Sequence, residues 1–547
     1  MKSTGMTRRR FLTISAMSAA SMAVDWRGIS ACAARMGPVK DYPAVVIGAG
    51  LGGLCCAALL ARQGIPVTVL EKHGIPGGYA TAFDRAGGTY RFEVSLHGTS
   101  IRGGHVERTL AELGVLDRLE LVDLPEVYRV KAPGMEVSFP QRDPEAFMQG
   151  LGELFPEEAE GIRGFVDEVL SIQEETERYG RQSGFFKTLL KPIFPLQFRR
   201  MWNVRNQTLE DLLDEHVQDP RARDMLSAMW GYYGLPPSKL SGFYYAVATG
   251  GYLKNGSSYI RDRSQALSDL LAETVEQAGG EVLCETEARR IQVRDGAVSG
   301  VETAGGRVFP ARAVVSNASA LATFRDMVPA RAVPASYLKQ LSSYRPSISC
   351  FIVWLGLNRE IRGTVTGFST SVATGCGPEA AYTSCMQGEV EQCGFGVTVF
   401  DNLYEGYSRP GTSTVMLLCL SGYEPWRRFE ADYRAGRKEA YNREKQRWAD
   451  TLIRRAEESV IPGLSSMIAV RDAATPLTCR RYTGNTDGAI YGFEQSMDNA
   501  FMNRIGNRTP VKGLYLASAW GNPGGGYGGV LRAGEMTFQH LMEDWGR

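Results

Sequence analysis

The feature that most constrains this chain is a strand, a glycine-spaced turn, a helix and a second strand that follow one another near its start. Apolar runs over Ala44–Ile47 and Val67–Leu70 predict two buried strands, and the pattern between them predicts a helix over residues 54–62. The glycines of the turn have the spacing G-x-G-x-x-G and are Gly48, Gly50 and Gly53. The second strand ends at Glu71. This order of elements predicts a βαβ unit and an α/β fold with a parallel sheet.

Each part of this unit has a mechanical role in binding a dinucleotide. Gly48 permits the tight turn, Gly50 lets a pyrophosphate approach the backbone, and Gly53 lets the helix pack closely on the strand. The N–H groups and the positive dipole end at the start of the helix favour phosphate. Glu71, 23 residues after Gly48, is placed to bind a ribose hydroxyl. The dinucleotide contacts predicted in this unit are Gly48, Ala49, Gly50, Gly53, Glu71 and Lys72.

The residues after the acid bear on the choice between FAD and NAD. Gly77 and Gly78 stand six and seven residues after Glu71. This pattern of an acid, five residues and a glycine pair resembles the large flavoprotein family that contains amine oxidases, phytoene desaturases, carotenoid isomerases and retinol saturases. The resemblance implies that the cofactor is FAD and that Gly77 and Gly78 belong to its site.

Two distant segments carry the same resemblance. A helix is predicted over residues 264–277 and a strand over Ala313–Ser316, and the resemblance implies that this region returns to the nucleotide-binding sheet with Ala288 near the adenine. Near the C-terminus, a strand predicted over residues 514–518 leads into a glycine-rich stretch and a helix from residue 530. The resemblance implies that this stretch passes the flavin ring. The contacts predicted there are Trp520, Gly525, Gly529 and Val530.

The predicted fold class is therefore α/β, with a Rossmann-type FAD-binding domain, a doubly wound parallel sheet, interleaved with an α+β substrate domain. The FAD-binding domain is predicted to consist of residues 41–110, 255–320 and 508–547, and the substrate domain of residues 111–254 and 321–507. Residues 1–35 are assigned to a signal segment and excluded from the fold.

Two segments carry candidate catalytic residues. Glu93 and His97 lie in the stretch FEVSLH, which resembles the retinol saturase and carotenoid isomerase branch more than the amine oxidases. His97 is a candidate proton donor because histidine titrates near neutrality, or it is only hydrogen-bonded to backbone or flavin. Glu93 is a catalytic acid or a structural partner. In residues 472–495, Arg481 and Tyr482 are candidates for contact with substrate, Tyr482 also for moving the proton, although the turns there permit a structural role.

Two further stretches bear on the substrate. Residues 230–246, WGYYGLPPSKLSGFYYA, are rich in aromatic side chains that line either an apolar tunnel or a plain core. Residues 184–202 mix bulky apolar side chains with lysine and arginine. If exposed they would contact a bilayer surface, and if buried they would be a core segment with snorkelling cations.

The N-terminal stretch predicts export. Residues 7–12, TRRRFL, resemble a twin-arginine motif, and a short, weakly apolar run follows that cannot span a bilayer. The alternative is a disordered basic tail. ISAC at residues 29–32 resembles a lipoprotein box, so lipid anchoring at Cys32 is a further expectation. The predicted location is the periplasm or the outer face of the membrane.

Charge and cysteine usage exclude some classes. The 61 basic and 60 acidic residues nearly cancel, which gives no electrostatic case for nucleic acid. The ten cysteines include no C-x-x-C pair, so no metal site is predicted, and a disulfide among Cys376, Cys385 and Cys393 stays open.

The predicted function is an FAD-dependent oxidoreductase. Its branch resemblance implies saturation, desaturation or cis–trans isomerisation of a carbon–carbon double bond in a hydrophobic isoprenoid, carotenoid or retinoid-like substrate. The expected electron partner is a membrane quinone, a redox protein or oxygen, unless the reaction is redox-neutral. The alternatives are a flavin amine oxidase and a non-catalytic lipid-binding or assembly factor with a vestigial flavin site.

Overall fold

The computed structural model describes residues 43–182 and 191–546. The predicted signal segment with its twin-arginine motif and Cys32 lies outside the described residues, as do residues 184–190 of the segment predicted to contact either a bilayer or the core. In the described part of the chain, no helix has both the length and the apolar character that crossing a membrane requires.

Strands occur along the whole length of the described part of the chain. They are β1 (Ala44–Ile47), β2 (Val67–Leu70), β3 (Ala82–Arg85), β4 (Tyr90–Glu93), β5 (Leu121–Asp123), β6 (Tyr128–Ala132), β7 (Met135–Phe139), β8 (Ser258–Ile260), β9 (Glu281–Leu283), β10 (Ala288–Arg294), β11 (Ala297–Thr303), β12 (Val308–Pro310), β13 (Ala313–Ser316), β14 (Ser349–Leu357), β15 (Ser369–Val372), β16 (Phe395–Val399), β17 (Ser413–Ser421), β18 (Ile468–Ala474) and β19 (Leu514–Leu516).

The longer helices also follow in chain order. They are α1 (Leu51–Arg62), α2 (His105–Glu112), α3 (Pro144–Leu154), α4 (Ala159–Gly180), α5 (Gly242–Asn255), α6 (Arg263–Gln277), α7 (Ala335–Ser343), α8 (Gly377–Gln387), α9 (Glu439–Ser459), α10 (Pro476–Thr483) and α11 (Tyr527–Asp544). Shorter helical segments are Phe194–Gln197, Arg199–Val204, Leu209–Asp214, Pro220–Leu226, Trp230–Tyr233, Ala320–Ala322, Glu424–Arg427, Glu430–Arg434 and Leu464–Met467.

A five-stranded parallel sheet has the order β19-β13-β1-β2-β9. Every residue of β1 and β13 is buried, because the sheet is covered on both faces. On one face Val46 packs in a cluster with side chains of α1, α6 and α11. On the other face Val45 packs with side chains of the small antiparallel sheet β10-β11-β12.

The strand order of this sheet reverses at β1, because β1 is flanked by β2 on one side and by the later strand β13 on the other. Ligands of open parallel sheets bind at the carboxyl ends of the strands where such a reversal occurs. The glycine turn follows β1 and Asn317 follows β13 at this point. The sheet therefore places the predicted dinucleotide turn at its switch point, and the predicted Rossmann-type fold class is confirmed.

A seven-stranded mixed sheet, β18-β14-β17-β16-β15-β6-β7, forms the second part of the molecule. Its neighbouring strands are antiparallel except for β15 and β6. All nine residues of β14 are buried, and Phe351 on this strand packs against Trp426 and Trp448. The predicted boundaries between the two domains stay a prediction.

Two helices begin earlier than predicted. The first was expected from residue 54 and begins at Leu51, and the last was expected from Val530 and begins at Tyr527. The first turns of both helices contain glycine, which lowers helix propensity and makes these turns look like loop in the sequence. Gly50 and Gly526 take the N-cap positions, and neither end has a side-chain cap.

Candidate active site

A cavity of about 1580 Å³ opens at the switch point of the parallel sheet and continues into the mixed-sheet part of the molecule. Most small-molecule pockets have a volume of about 300–1,000 Å³. This cavity therefore has room for more than one ligand. The segments following β1, β2, β13 and β19 line one part of it, and aromatic side chains line another.

The glycine turn brings α1 close to the sheet and leaves its first backbone N–H groups free of side-chain caps. A Cβ on Gly53 would clash with the carbonyl oxygen of Gly48, so only glycine permits this packing. Gly48 and Gly50 line the cavity, and Ala49 lies between them and is fully buried. Uncapped N–H groups at a helix N-terminus form an anion-binding site. The turn is thus shaped for a phosphate group.

Asn317 is a site residue that the sequence analysis did not single out. Its side-chain amide lies between Gly50 and Ala517, and in the orientation that satisfies both, its oxygen lies 3.0 Å from the Gly50 nitrogen and its nitrogen 2.7 Å from the Ala517 oxygen. It lines the cavity and joins the ends of β1, β13 and β19. An asparagine after a short strand gives no signal of this role in the sequence alone.

Glu71 is 6% exposed and ends β2 beside the glycine turn. Its carboxylate accepts hydrogen bonds from the backbone N–H groups of Ala49 (2.8 Å) and His73 (2.9 Å). A carboxylate has about four acceptor positions, so these two bonds leave capacity for a ligand hydroxyl. Lys72 follows, and burial lowers the pKa of its ammonium group. Ala288, the first residue of β10, lines the same part of the cavity.

The glycine pair packs on the first turn. The backbone N–H of Gly77 donates to the carbonyl of Ala49 at 2.7 Å, and Gly50 and Gly77 form an isolated parallel bridge. Gly77 and Gly78 both line the cavity. The two glycine motifs of the N-terminal region therefore form one continuous wall.

The glycine-rich stretch near the C-terminus forms the adjoining wall. Trp520 is 1% exposed, and its indole N–H donates to Asn485 at 3.1 Å. A Cβ on Gly525 would lie 2.8 Å from the Cα of Tyr491, so the backbone passes Tyr491 closely. The other predicted contacts of this stretch, Gly529 and Val530, also line the cavity.

Glu93 does not line this cavity, and its contacts show a positioning role. Its side chain is fully buried, and burial raises its pKa. The carboxylate accepts hydrogen bonds from the N–H groups of Ser95, Leu96 and Ser264, at 2.8 to 3.1 Å, and from the Ser264 hydroxyl. Of the two predicted alternatives, this arrangement favours the structural partner over the catalytic acid. Glu93 fixes the loop that carries His97.

His97 lines the cavity and packs edge-on against Tyr232, with ring centroids 6.3 Å apart. Burial lowers the pKa of His97 to about 4, with only a partial opposing effect from the Ser95 backbone. The imidazole is therefore neutral at neutral pH. A neutral imidazole can donate or accept a hydrogen bond, but it is not a cationic acid.

Tyr482 lies in a different part of the cavity from His97. Its side chain is 52% exposed and stacks on His73, which follows Glu71 and Lys72. The Tyr482 carbonyl lies 2.5 Å from the His73 ring nitrogen. The structure thus places Tyr482 beside the acid that ends β2, and this placement gives no support to a proton-transfer role. Arg481 contacts Lys72 through its carbonyl and does not line the cavity.

Tyr491 is the tyrosine of this region that sequence reasoning missed. It lines the cavity next to Gly525. Burial raises the pKa of its hydroxyl well above the usual value, and the nearby Tyr244 acts in the same direction. The hydroxyl is therefore protonated at all ordinary pH values. No motif or spacing in the sequence distinguishes Tyr491 from Tyr482.

Some side chains of the aromatic segment, residues 230–246, line the cavity as a tunnel would require, and others lie in the hydrophobic core. Tyr245 and Ala246 are buried in the core, whereas other members of the segment face the cavity. Tyr232 is 39% exposed although burial raises its pKa, since its exposed surface faces the cavity. The aromatic and aliphatic side chains that line this arm of the cavity, called the apolar arm below, are Trp230, Tyr232, Tyr233, Phe243, Tyr244, Val247, Tyr252, Leu418 and Leu420.

The described part of the basic apolar segment, residues 191–202, also has both buried and exposed side chains. Met201 is fully buried and lines the cavity, whereas Leu196 is 83% exposed. Arg199 and Arg200 are also exposed, and Arg200 forms an ion pair with Glu168. The segment thus has a buried side at the cavity and an apolar residue at the surface.

The glycine turn, the acid after β2 and the glycine-rich entry to α11 define a dinucleotide-binding oxidoreductase with a connected apolar arm. Residues 51–537 match the family described as flavin containing amine oxidoreductase, and the chain belongs to this family. It is an FAD-dependent oxidoreductase.

Curated relatives cover most of the chain at low identity. Prolycopene isomerase of Daucus carota is 24% identical over 93% of this chain and 82% of the relative. All-trans-retinol 13,14-reductase of Homo sapiens is 24% identical over 86% of this chain and 81% of the relative. The lycopene-forming phytoene desaturase of Pantoea ananas is 23% identical over 92% and 99%.

Solved structures share the fold. Cyclohexylamine oxidase from Brevibacterium oxydans aligns with a TM-score of 0.60 and 15% identity, over 93% of this chain and all of that one. An oxidoreductase from Methanosarcina mazei aligns with a TM-score of 0.57 and 17% identity, over 92% and 100%. At these identities the likeness shows the fold alone.

The residues present fit FAD. The uncapped N–H groups of α1 suit a phosphate, Glu71 has free acceptor capacity for a ribose hydroxyl, and Gly525 lines the cavity with backbone alone. The cavity joins these features in one space. The residues that would hold the cofactor are Gly48, Gly50, Glu71, Gly77, Gly78, Ala288, Asn317, Trp520, Gly525, Gly529 and Val530.

Proposed function

We propose that this FAD-dependent oxidoreductase acts on a carbon–carbon double bond of a long hydrophobic isoprenoid, by saturation, desaturation or cis–trans isomerisation. The observation that carries the proposal is the single cavity of about 1580 Å³ that joins the dinucleotide site to the apolar arm. The names of three relatives, a prolycopene isomerase, a retinol 13,14-reductase and a phytoene desaturase, support the same substrate class.

The chain's own residues bind and orient the substrate. Flat aromatic side chains such as Trp230, Tyr232 and Phe243 offer apolar contact along the length of a polyene and exclude water from it. When bound, FAD supplies the hydride or electron-pair transfer that protein side chains cannot perform. The position of the substrate is set by where the apolar arm meets the glycine-rich wall.

Tyr491 is the residue best placed to hold the proton of such a reaction. Its backbone contacts Gly525 in the glycine-rich wall, and its hydroxyl is buried and protonated. His97 lines the same cavity as a neutral imidazole, able to donate or accept a hydrogen bond. We infer that the Tyr491 hydroxyl holds the proton of the reaction. We infer that the His97 imidazole orients a neighbouring group by a hydrogen bond.

Export through the twin-arginine route to the periplasm or the outer face of the membrane is part of the proposal. It is supported by residues 7–12 and by the cofactor site, which draws on residues near both ends of the chain and so forms only after folding. A location outside the cytoplasm favours a membrane quinone or another redox protein as the electron partner. Lipid anchoring at Cys32 and peripheral membrane contact around Leu196 would bring the enzyme to lipid-soluble substrates.

The substrate proposal is tested with purified, FAD-loaded protein under anaerobic conditions. Chemically reduced and oxidised enzyme are each incubated with cis-carotenoids, phytoene and retinol in detergent, and the products are separated by chromatography. Conversion of at least one polyene is expected. A parallel incubation with amines is run in air, where oxygen can reoxidise the flavin. Release of peroxide there, without any polyene conversion, would instead identify an amine oxidase, and a flavin that no donor reduces would identify a non-catalytic factor.

The location is tested separately by cell fractionation. Replacing both Arg8 and Arg9 by lysine is expected to retain the protein in the cytoplasm, while Arg10→Lys, at the variable position of the motif, is the matched control. Equal export of the two variants would contradict the twin-arginine route.

A further inference from the structure

Three buried cysteines from three separate elements meet beside the apolar arm. Cys385 lies on α8, Cys393 in the loop before β16, and Cys419 on β17. None of the three is more than 1% exposed, and their Sγ atoms all lie within 4.8 Å of one another. Cys385 also lines the cavity. The reaction proposed above uses none of these thiols.

The fold creates this cluster from residues that the sequence keeps apart. The three cysteines stand eight and 26 residues from one another, so their spacing predicts no metal site. Cys419 is paired with Phe395 across β16 and β17, which brings Cys393 to the end of the neighbouring strand. Arg455 fixes the loop, because its guanidinium donates to the carbonyls of Val390 and Cys393, each at 2.7 Å.

The geometry suits a metal ion whose protein ligands are these three sulfurs. With metal–sulfur bonds of about 2.3 Å, sulfurs around one ion are about 3.8–4.0 Å apart, so movements of about 1 Å or less would complete the site. Within the described residues no histidine or carboxylate joins the three sulfurs. Soft thiolate ligands select Cu(I) and Zn(II) over harder cations.

We propose that Cys385, Cys393 and Cys419 form a binding site for a thiophilic d10 cation, Cu(I) or Zn(II). Binding releases the three thiol protons to solvent and leaves the oxidation states of sulfur and metal unchanged. The ion ties α8, the loop before β16 and β17 together and so fixes this wall of the apolar arm. The site does not depend on the proposed substrate or on FAD.

A disulfide bond is the alternative to metal binding by these cysteines. The sequence left open a disulfide among Cys376, Cys385 and Cys393. In the structure every cysteine of the described residues is a free thiol, and Cys376 is exposed and outside the cluster. A bond between any two of the three clustered sulfurs would leave the third unpaired and would abolish the site.

The test titrates full-length, FAD-loaded protein, kept reduced with a phosphine under anaerobic conditions. Cu(I) is offered in competition with a chromophoric Cu(I) chelator, and Zn(II) with a chromophoric Zn(II) chelator. Wild type is expected to bind one ion per chain, and Cys419→Ser to lose affinity by at least about 100-fold. Cys376→Ser is the matched control and is expected to bind as wild type does.

If Cys419→Ser fails to fold, X-ray absorption spectroscopy of the metal-loaded wild-type protein still tests the proposal. Three sulfur ligands are expected in the first shell, alone for Cu(I) and with one solvent oxygen for Zn(II), and either ion supports the site. The proposal is overturned if neither ion binds, if Cys419→Ser binds as tightly as wild type, if the first shell consists mainly of nitrogen or oxygen, or if mass spectrometry of the protein isolated from cells finds two of these cysteines joined.

Discussion

The carboxylate of Glu71 accepts a hydrogen bond from the backbone N–H of Ala49 at 2.8 Å, so the acid that ends β2 holds the glycine turn that ends β1. A second bond from the His73 N–H fixes the same side chain. The residue that would bind the ribose therefore also shapes the turn that would bind the pyrophosphate. This link makes cofactor affinity sensitive to Glu71 in two ways.

Replacing Glu71 by alanine is expected to weaken FAD binding by about 10- to 100-fold, because hydrogen bonds to a charged group contribute about 1.5–3 kcal/mol. The flavin content of the purified protein and titration of the apoprotein with FAD measure the effect. Glu281→Ala, at an exposed position on the neighbouring strand β9, is the control and should retain full flavin. Equal flavin content in both variants would contradict the role of Glu71.

Tyr491 and Tyr482 form a matched pair for the proton-transfer step. Tyr491→Phe removes the buried hydroxyl of the residue whose backbone contacts Gly525, and it is expected to lower turnover by about 100-fold or more, within the range that general acid–base catalysis contributes. Tyr482→Phe is expected to leave turnover nearly unchanged, because Tyr482 contacts His73 instead. Flavin content must stay equal in both variants. A loss of turnover in Tyr482→Phe alone would restore Tyr482 as the proton donor.

Glu93 is expected to act on stability. Its replacement by alanine leaves the buried N–H groups of Ser95, Leu96 and Ser264 without their acceptor, which should lower the free energy of unfolding by about 3 kcal/mol or more. Urea denaturation measures this loss, with the exposed Glu112→Ala as control. A catalytic acid would show the opposite pattern, with unchanged stability and abolished turnover.

The depressed pKa of His97 predicts a dependence of stability on pH. The unfolded chain binds a proton at this imidazole below its ordinary pKa of 6.5, whereas the folded protein does so only below about 4. Stability from this residue is thus fully present above pH 6.5 and is lost as the pH falls toward 4, by at most about 3 kcal/mol.

His97→Gln removes this titration, so acidification from pH 7 to 4.5 should destabilise wild type more than the variant. Urea denaturation of both proteins at each pH measures the difference. If the gap in unfolding free energy between them stays constant with pH, His97 is not held neutral by burial.

Local patterns in the sequence predict the parallel sheet well. The strands predicted over Ala44–Ile47, Val67–Leu70 and Ala313–Ser316 have those bounds in the structure, because short apolar runs between turn residues leave little freedom. The starts of α1 and α11 were missed, since glycine in a first turn looks like loop. Fold class, cofactor and enzyme class are confirmed.

Residues whose roles arise from distant contacts were not predictable in this way. Asn317 gains its role only where the ends of β1, β13 and β19 meet, and Tyr491 only where its backbone packs against Gly525. Cys385, Cys393 and Cys419 lie close together only because α8, the loop before β16 and β17 pack against one another. None of these contacts produces a periodic pattern or a recognisable spacing of residues in the sequence.

The central claim is that backbone from the beginning, middle and end of the chain builds one FAD site. The most direct measurement is the cofactor content of the purified protein, by visible absorbance and by chromatography of the cofactor released on denaturation. One FAD per chain is expected, and apoprotein should regain it on addition of FAD. A colourless protein that takes up no FAD would contradict the account.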